Sequence, residues 1–464
     1  MHEHHIPRVL TSEEQHRRML QTPVAKLVLS LAAPTVASQL ISIIYNTADT
    51  YFVSQISTSA SAAVGVVFSL QSIIQAYGFG VAMGAGSLIS LRLGEKKDLE
   101  ANRCASSGLL AELAGGLLML ILGLLYLEPL MCALGATQTM LPHACAYGRI
   151  ILMGAPVMCC SFILNCILRA EGAALASMIG LCSGGLINIA LDPLLIFTFQ
   201  MGTAGAAAAT VASQCVSLVI LMIAFRRTKS IVQLRPRYIS RRLRDYVQIV
   251  TVGFPTIARQ GMASFASALM NVQGAVYGDV AVAALTISNK VYLLVRNIVI
   301  GIGQGFQPVA GYNYGAGDNK RTREAFIFVV KLGTVVCTLA AGILAAFAGP
   351  IIGWFRADPE VIAIGRVALL YACAVMPFMA YSTFVNQLYQ CLGFKVPATV
   401  LASLRQGICF LPLIFLLPHF FGLYGVQMTQ PGADLLTFFI CIPFQIAFFR
   451  KHLRLNVEKK PVCL

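Results

Sequence analysis

Twelve long apolar stretches occupy most of this 464-residue chain. A helix that crosses a bilayer needs about 20 consecutive apolar residues. The predicted spans are residues 24–54, 61–90, 104–127, 141–166, 173–199, 203–225, 244–270, 278–311, 324–348, 362–387, 395–418 and 423–449. Only 11% of the residues are charged, whereas a soluble domain carries about 25%. The pattern therefore predicts an all-α integral membrane protein with twelve transmembrane helices.

Basic residues are distributed unevenly among the predicted connections. Lys and Arg follow spans two, six and eight and recur in the tail, whereas the connections after spans one, five, seven and eleven have neither. The positive-inside rule therefore places both termini in the cytoplasm. This asymmetry accounts for most of the net charge of +15, so no nucleic-acid partner is expected.

The residues before the first span contain no long apolar core of the kind that a secretory signal has. Thr11 and Glu14 have the spacing of a capping box, which predicts a short interfacial helix. The three histidines at the start of the chain are interpreted as part of a mobile tail rather than a metal site.

An internal repeat relates the two halves of the chain at an offset of 221 residues. The matching positions include Pro34 and Pro255, Gly94 and Gly315, Pro156 and Pro377, Asn165 and Asn386, and Gly172 and Gly393. Each half holds six spans, so both halves have the same orientation. Parallel repeats of this kind, with a cavity between them, are typical of secondary transporters.

The repeat divides the chain into two predicted six-helix lobes joined by a basic linker. The predicted segments are an N-terminal cytoplasmic segment (1–22), the N-lobe (23–225), the linker (226–243), the C-lobe (244–449) and a cytoplasmic tail (450–464).

Carboxylates inside the predicted spans are candidate functional groups, because a charge in hydrocarbon is costly. Asp49 and Asp192 lie at similar depth in the outer halves of spans one and five. Asn188 lies one turn before Asp192 on the same helix face, and Thr210 and Tyr147 reach the same depth in spans six and four. The sequence predicts that these five side chains converge within the N-lobe.

Two neighbouring carboxylates suit ion coupling, because such a pair can share a proton or bind Na⁺ through oxygen ligands. In the alternative interpretation Asp49 caps the end of its helix and Asp192 pairs with a neighbouring donor. Pro34, earlier in span one, is either a hinge that responds to Asp49 or a static kink.

Two further intramembrane acids and several basic residues lack such a cluster. Glu112 either faces the central cavity or forms a structural hydrogen bond. Asp434 follows a Pro-Gly pair, where a broken helix could free backbone donors for it. The basic residues in or near spans either snorkel to the interface or pair with an acid: they are Arg169, Arg259, Lys290, Arg296 and Arg405.

The sequence contains no motif of a catalytic site. It has no Walker A, HExxH, GxSxG or zinc-binding spacing, so we expect transport driven by an ion gradient rather than an enzyme. No cofactor is expected, and Na⁺ is considered only as a coupling ion.

Four segments resemble the multidrug and toxic compound extrusion (MATE) family. They are LAAPTVASQLISIIYNTADTYFVSQI, GLINIALDPLLIF, GIGQGFQPVAGYNYGAGDNKR and SLRQGICFLPL. The resemblance covers residues 20–450 and is greatest to the DinF-like branch. It implies a cation site in the N-lobe, with the branch's two aspartates falling on Asp49 and Asp192 and its companion polar residues on Asn188, Thr210 and Tyr147.

The same resemblance implies antiport by a monomeric, multi-pass transporter of a bacterial-type inner cell membrane. Na⁺ or H⁺ enters while an organic compound, often cationic and amphipathic, leaves. Pro34 falls on the branch's span-one proline, and the expected substrate contacts are Asn165, Asn188 and Glu112. A lipid-linked oligosaccharide flippase of the same superfamily is the main alternative, and a channel or receptor is a second one.

Overall fold

The computed structural model describes residues 12–56, 58–227 and 230–453, and within these ranges the chain is almost entirely helical. The short helix expected before the first span is present as α1 (Ser12–Gln21). Thr11, the capping residue predicted for it, and the three histidines lie outside the described residues.

Six long helices and one short helix form the N-lobe. They are α2 (Val24–Ser54), α3 (Thr58–Gly94), α4 (Asp98–Leu125), the short α5 (Leu127–Ala133), α6 (Leu141–Ala170), α7 (Ala174–Pro193) and α8 (Gly202–Arg227). A π-helical turn, Leu194–Thr198, extends α7 beyond Pro193.

The C-lobe has the same order of elements. Its helices are α9 (Leu243–Ala275), α10 (Asp279–Gly315), α11 (Asn319–Ala346), the short α12 (Ala348–Phe355), α13 (Pro359–Cys391), α14 (Lys395–Ser403), α15 (Phe410–Phe421) and α16 (Leu423–Lys451). A second π-helical turn, Leu404–Ile408, joins α14 to α15 so that the two form one span.

Within the described residues, eleven helical segments are long and apolar enough to cross a membrane. The twelfth long helix is α9, whose Arg259, Gln260 and other polar residues lower its hydropathy. It occupies the position in the C-lobe that α2 has in the N-lobe, so the prediction of twelve helices in two lobes is confirmed. The two short helices α5 and α12 were not predicted; they begin 221 residues apart, as the repeat requires.

The repeat is visible in local geometry as well as in helix order. Gly172 and Gly393 both have left-handed backbones, with φ of +84° and +80°, a conformation that glycine adopts without steric cost. The side-chain amides of Asn165 and Asn386 each donate to the backbone carbonyl twelve residues further along, at 3.2 and 2.7 Å. These repeat-related positions therefore have the same backbone conformation and the same hydrogen bonds in both lobes.

The two lobes meet along a seam of small residues. A Cβ atom at Gly253 of α9 would lie 1.9 Å from the backbone oxygen of Gly80 in α3, and one at Gly305 of α10 would lie 2.5 Å from the Cα of Ala32 in α2. Small residues allow such close approach of helix backbones. These contacts all lie in the helix halves nearest the chain termini, so the lobes are packed together on the side of the membrane that carries the termini.

The linker between the lobes is docked on the N-lobe by a buried carboxylate. Glu171, between α6 and α7, accepts hydrogen bonds from the Val232 N–H at 2.8 Å and from the Ser230 hydroxyl. Gln15 of α1 donates to the backbone carbonyl of Glu171. Burial raises the pKa of Glu171 to about 7, although both linker hydrogen bonds act in the opposite direction.

Candidate functional site

Asp49 of α2 and Asp192 of α7 are enclosed in the N-lobe, with exposed fractions of 5% and 0%. Asn188, one turn before Asp192, donates a hydrogen bond to its Oδ1 at 3.1 Å. Asp192 directly precedes Pro193 and the π-helical turn, and such turns are frequent at functional sites because they redirect a helix locally.

Three oxygen atoms of this cluster are buried without a hydrogen-bond partner. They are Asp49 Oδ1, Asp192 Oδ2 and the Tyr147 hydroxyl. Tyr147 of α6 faces both carboxylates and lies beside the Thr210 hydroxyl without regular hydrogen-bond geometry. Thr210 itself donates to the Ala206 carbonyl at 3.0 Å, which leaves its oxygen lone pairs available. The five predicted side chains therefore lie together.

The atoms of the cluster that could bind a cation are all oxygens, and no Lys or Arg forms an ion pair with either aspartate within the described residues. Two carboxylates in a low-dielectric site are stable together only when a proton or cation compensates their charge. The described residues contain no group of three or more His, Cys, Asp or Glu side chains that could hold a metal. A bound cation would therefore be completed by neutral oxygens, a donor set that suits a proton or a small hard cation.

A central cavity adjoins this cluster, and a second cavity, lined mainly by the C-lobe, adjoins the central one. The central cavity has a volume of about 370 Å³ and is lined by both lobes, including Thr210, Tyr45 and Asn46 from the neighbourhood of Asp49. The C-lobe cavity has a volume of about 600 Å³ and shares Ala263 and Arg296 with it. The acid cluster thus lies directly behind the N-lobe wall of the central cavity.

The expected substrate contacts differ in their positions. Asn165 lines the central cavity, although its amide is engaged with the Ser177 carbonyl. Asn188 and Glu112 are not among the residues that line these two cavities. Glu112 is fully buried within the N-lobe beside Tyr77 and Cys159. A direct contact of Glu112 with substrate stays a prediction that this conformation does not support.

Asp434 has a partner that the sequence did not identify. Arg405, on the second π-helical turn, forms an ion pair with it, and the Tyr292 hydroxyl donates to its Oδ2. Gln430 Nε2 donates to its Oδ1 at 3.1 Å. Because α16 continues without a break through the Pro-Gly pair, the expectation of backbone donors from a broken helix is wrong. The hydrogen-bond donors to this carboxylate are instead side chains, up to 142 residues away from Asp434 in the sequence.

The comparisons with known proteins agree on the family. Residues 34–194 and 255–416 match the MatE family model. The multidrug export protein MepA of Staphylococcus aureus is 26% identical over 427 residues, which cover 91% of this chain and 94% of that protein.

Solved structures have the same fold. A crystal structure of MATE in complex with MaL6 superposes with a TM-score of 0.87 at 24% identity and covers 94% of this chain and 99% of that one. An outward-facing multidrug resistance MATE family transporter of the MOP superfamily gives a TM-score of 0.86 at 24% identity, with coverage of 94% and 98%.

Proposed function

Because this chain belongs to the MatE family, we propose that it is a cation-coupled antiporter that exports organic compounds by alternating access. The observation that carries the proposal is the pair of buried aspartates with unpartnered oxygens immediately behind the wall of the cavity between the lobes. A site of this kind can take up a proton or Na⁺ and change the charge beside a substrate.

The same helix connects the acid cluster to the seam between the lobes. Pro34 lies in α2 fifteen residues before Asp49. Next to it, the Thr35 hydroxyl donates to the Gly301 carbonyl of α10 at 2.7 Å. A Cβ at Gly301 would lie 2.8 Å from the Cα of Val36. Bending of α2 at Pro34 would therefore displace the seam directly, which supports a hinge over a static kink.

In the proposed cycle, cation binding neutralises Asp49 and Asp192 and favours a different arrangement of α2. The seam then separates and the cavity becomes accessible from the side of the termini. With both termini in the cytoplasm, as the distribution of Lys and Arg indicates, the described conformation is the outward-facing one. A monomer is sufficient for this cycle, since both lobes belong to one chain.

The positive charge expected of the substrate rests on the family resemblance alone. The side chains that line the central cavity do not support it, because they include three arginines and no carboxylate.

The decisive measurement is dye efflux from proteoliposomes with Na⁺ and proton gradients imposed separately. Rhodamine 6G and fluorescein serve as cationic and anionic probes of one aromatic scaffold. We expect one gradient to drive efflux of one dye and expect Asp49→Asn and Asp192→Asn to abolish it. Asp279→Asn is the matched control, because Asp279 is an exposed aspartate at the start of α10. Gradient-driven efflux that survives in both cluster variants contradicts the proposal.

A further inference from the structure

The central cavity carries an excess of positive charge on its walls. Arg169 of α6, Arg259 of α9 and Arg296 of α10 line it, together with many amide and hydroxyl side chains and no Asp or Glu. One of these arginines comes from the N-lobe and two come from the C-lobe, so the charge faces the cavity from both sides.

These guanidinium groups are not neutralised by the protein. Arg169 donates to the Gln304 side chain and to the sulfur atoms of Cys166 and Met83 at 2.9 and 3.3 Å, all of which are uncharged acceptors. Arg259 and Arg296 form no hydrogen bond or ion pair with any described residue. Arg296 is only 9% exposed. A buried charge is normally paired, because desolvation without a partner is costly.

The nearby charges do not remove this excess. Arg259, Arg296 and Arg405 border one small recess of about 30 Å³, but Asp434 forms its ion pair with Arg405. Asp49 and Asp192 lie behind the opposite wall and do not line the cavity. The cavity therefore offers unused donors of a residue whose planar fork matches carboxylate, sulfonate and phosphate groups.

The rest of the cavity is apolar enough to hold an organic body. Phe79 and Phe162 stack with ring centroids 4.3 Å apart, and both line the cavity with Met158, Leu181 and Leu293. A ligand that satisfies both parts of this lining carries an anionic group and an aromatic or aliphatic portion.

We propose that Arg259 and Arg296, with Arg169 opposite them, bind the anionic group of an amphipathic organic anion, which is the transported compound. This inference rests on the proposed transport through the central cavity and specifies its substrate class. The anionic group can belong to a soluble compound or to a lipid-linked phosphate, and the protein contacts are the same in both cases.

The test is equilibrium binding to the purified full-length protein in nanodiscs, without any ion gradient. Fluorescence anisotropy compares fluorescein with rhodamine 6G, which share a xanthene core and differ in charge. We expect fluorescein to bind more tightly, and we expect Arg259→Gln and Arg296→Gln each to weaken it about tenfold or more, since hydrogen bonds to charged groups have that weight. Lysine at the same positions keeps the charge and should retain part of the affinity.

Lys290→Gln is the matched control, because it removes one positive charge from an exposed position of the same helix as Arg296. Its affinity for fluorescein should equal that of the wild type. Tighter binding of rhodamine 6G, or unchanged fluorescein binding in the two glutamine variants, overturns the proposal. Because this binding assay uses no ion gradient, weak fluorescein binding in it cannot result from a failure of ion coupling.

Competition identifies the source of the anionic group. Undecaprenyl phosphate incorporated in the nanodisc should displace fluorescein if the substrate is lipid-linked. Displacement by soluble aromatic sulfonates alone indicates a soluble organic anion. Lack of displacement by either class contradicts an anion site.

Discussion

Asp192 in the N-lobe and Asp434 in the C-lobe are both enclosed carboxylates, with exposed fractions of 0% and 1%. Asp434 is saturated by Arg405, Tyr292 and Gln430. Asp192 has one amide donor, and its second oxygen has no partner. The C-lobe thus supplies a counter-ion and donors to its buried carboxylate. The N-lobe leaves one oxygen of its buried carboxylate without a partner, beside a second carboxylate.

The two sites are not copies of each other, although the lobes are repeats. At an offset of 221 residues, Asp192 corresponds to Leu413 and Arg405 corresponds to Gly184. The lobes therefore share helix order and diverge in charge. The Asp434–Arg405 ion pair contributes to structure. Asp192, which has no basic partner, remains able to bind a proton or a cation.

Replacement of Arg405 is expected to have the largest effect on stability among the variants that test this comparison. Arg405→Met leaves Asp434 buried without its counter-ion, which should lower the free energy of unfolding by about 3–5 kcal/mol. SDS titration of the purified protein, followed by circular dichroism, measures the change. The double variant Arg405→Met with Asp434→Leu should recover most of the loss, since no unpaired charge remains. A single variant as stable as wild type contradicts a structural role for the pair.

Glu171 provides a third buried carboxylate, and it sharpens the comparison because it lies outside the spans. Its pKa, raised to about 7 by burial, means that the docked linker favours the neutral acid. Docking should therefore be strongest below the ordinary value near pH 4.5 and weaken as pH rises through 7, by an amount on the order of 1–3 kcal/mol. Hydrogen exchange of the linker peptides, corrected for intrinsic rates, measures this.

Glu171→Gln should remove that pH dependence and keep the linker docked. Glu95→Gln is the control, since Glu95 is paired with Arg92 and Lys97 at 2.8 and 2.9 Å and remains ionised over this range. Linker protection that is independent of pH in the wild type would show that Glu171 does not govern docking.

Asp192→Asn should have the smallest effect on stability and the opposite sign. It removes one of two like charges from a site without a basic partner, so the free energy of unfolding should rise by about 1 kcal/mol. The SDS titration proposed for Arg405 measures it, with Asp279→Asn as the unaffected reference. A clear loss of stability would favour the structural interpretation, in which Asp192 serves mainly as the partner of Asn188.

The spans were predictable because hydropathy and the repeat act over whole helices. The meeting of Asp49, Asp192 and Tyr147 was also predictable, since helix direction and depth place residues of neighbouring helices at one level. The partner of Asp434 was not, because Arg405 and Tyr292 reach it through tertiary packing. The π-helical turn that carries Arg405 has no signature in hydropathy. The sequence placed the arginines of the cavity wall in or near spans. It could not predict that they face one cavity, because this depends on how each helix is rotated about its axis.

The seam of small residues between the lobes has a thermodynamic consequence for their motion. Gly80, Gly253 and Gly305 have no side-chain rotamers to immobilise when the lobes meet, so these positions add no side-chain entropy cost to closure. Separation of the lobes likewise releases no side-chain entropy at these positions. The occupants of the acid cluster and the cavity can then set the balance between the two arrangements, each by the difference between its affinities for the two arrangements rather than by its affinity for one.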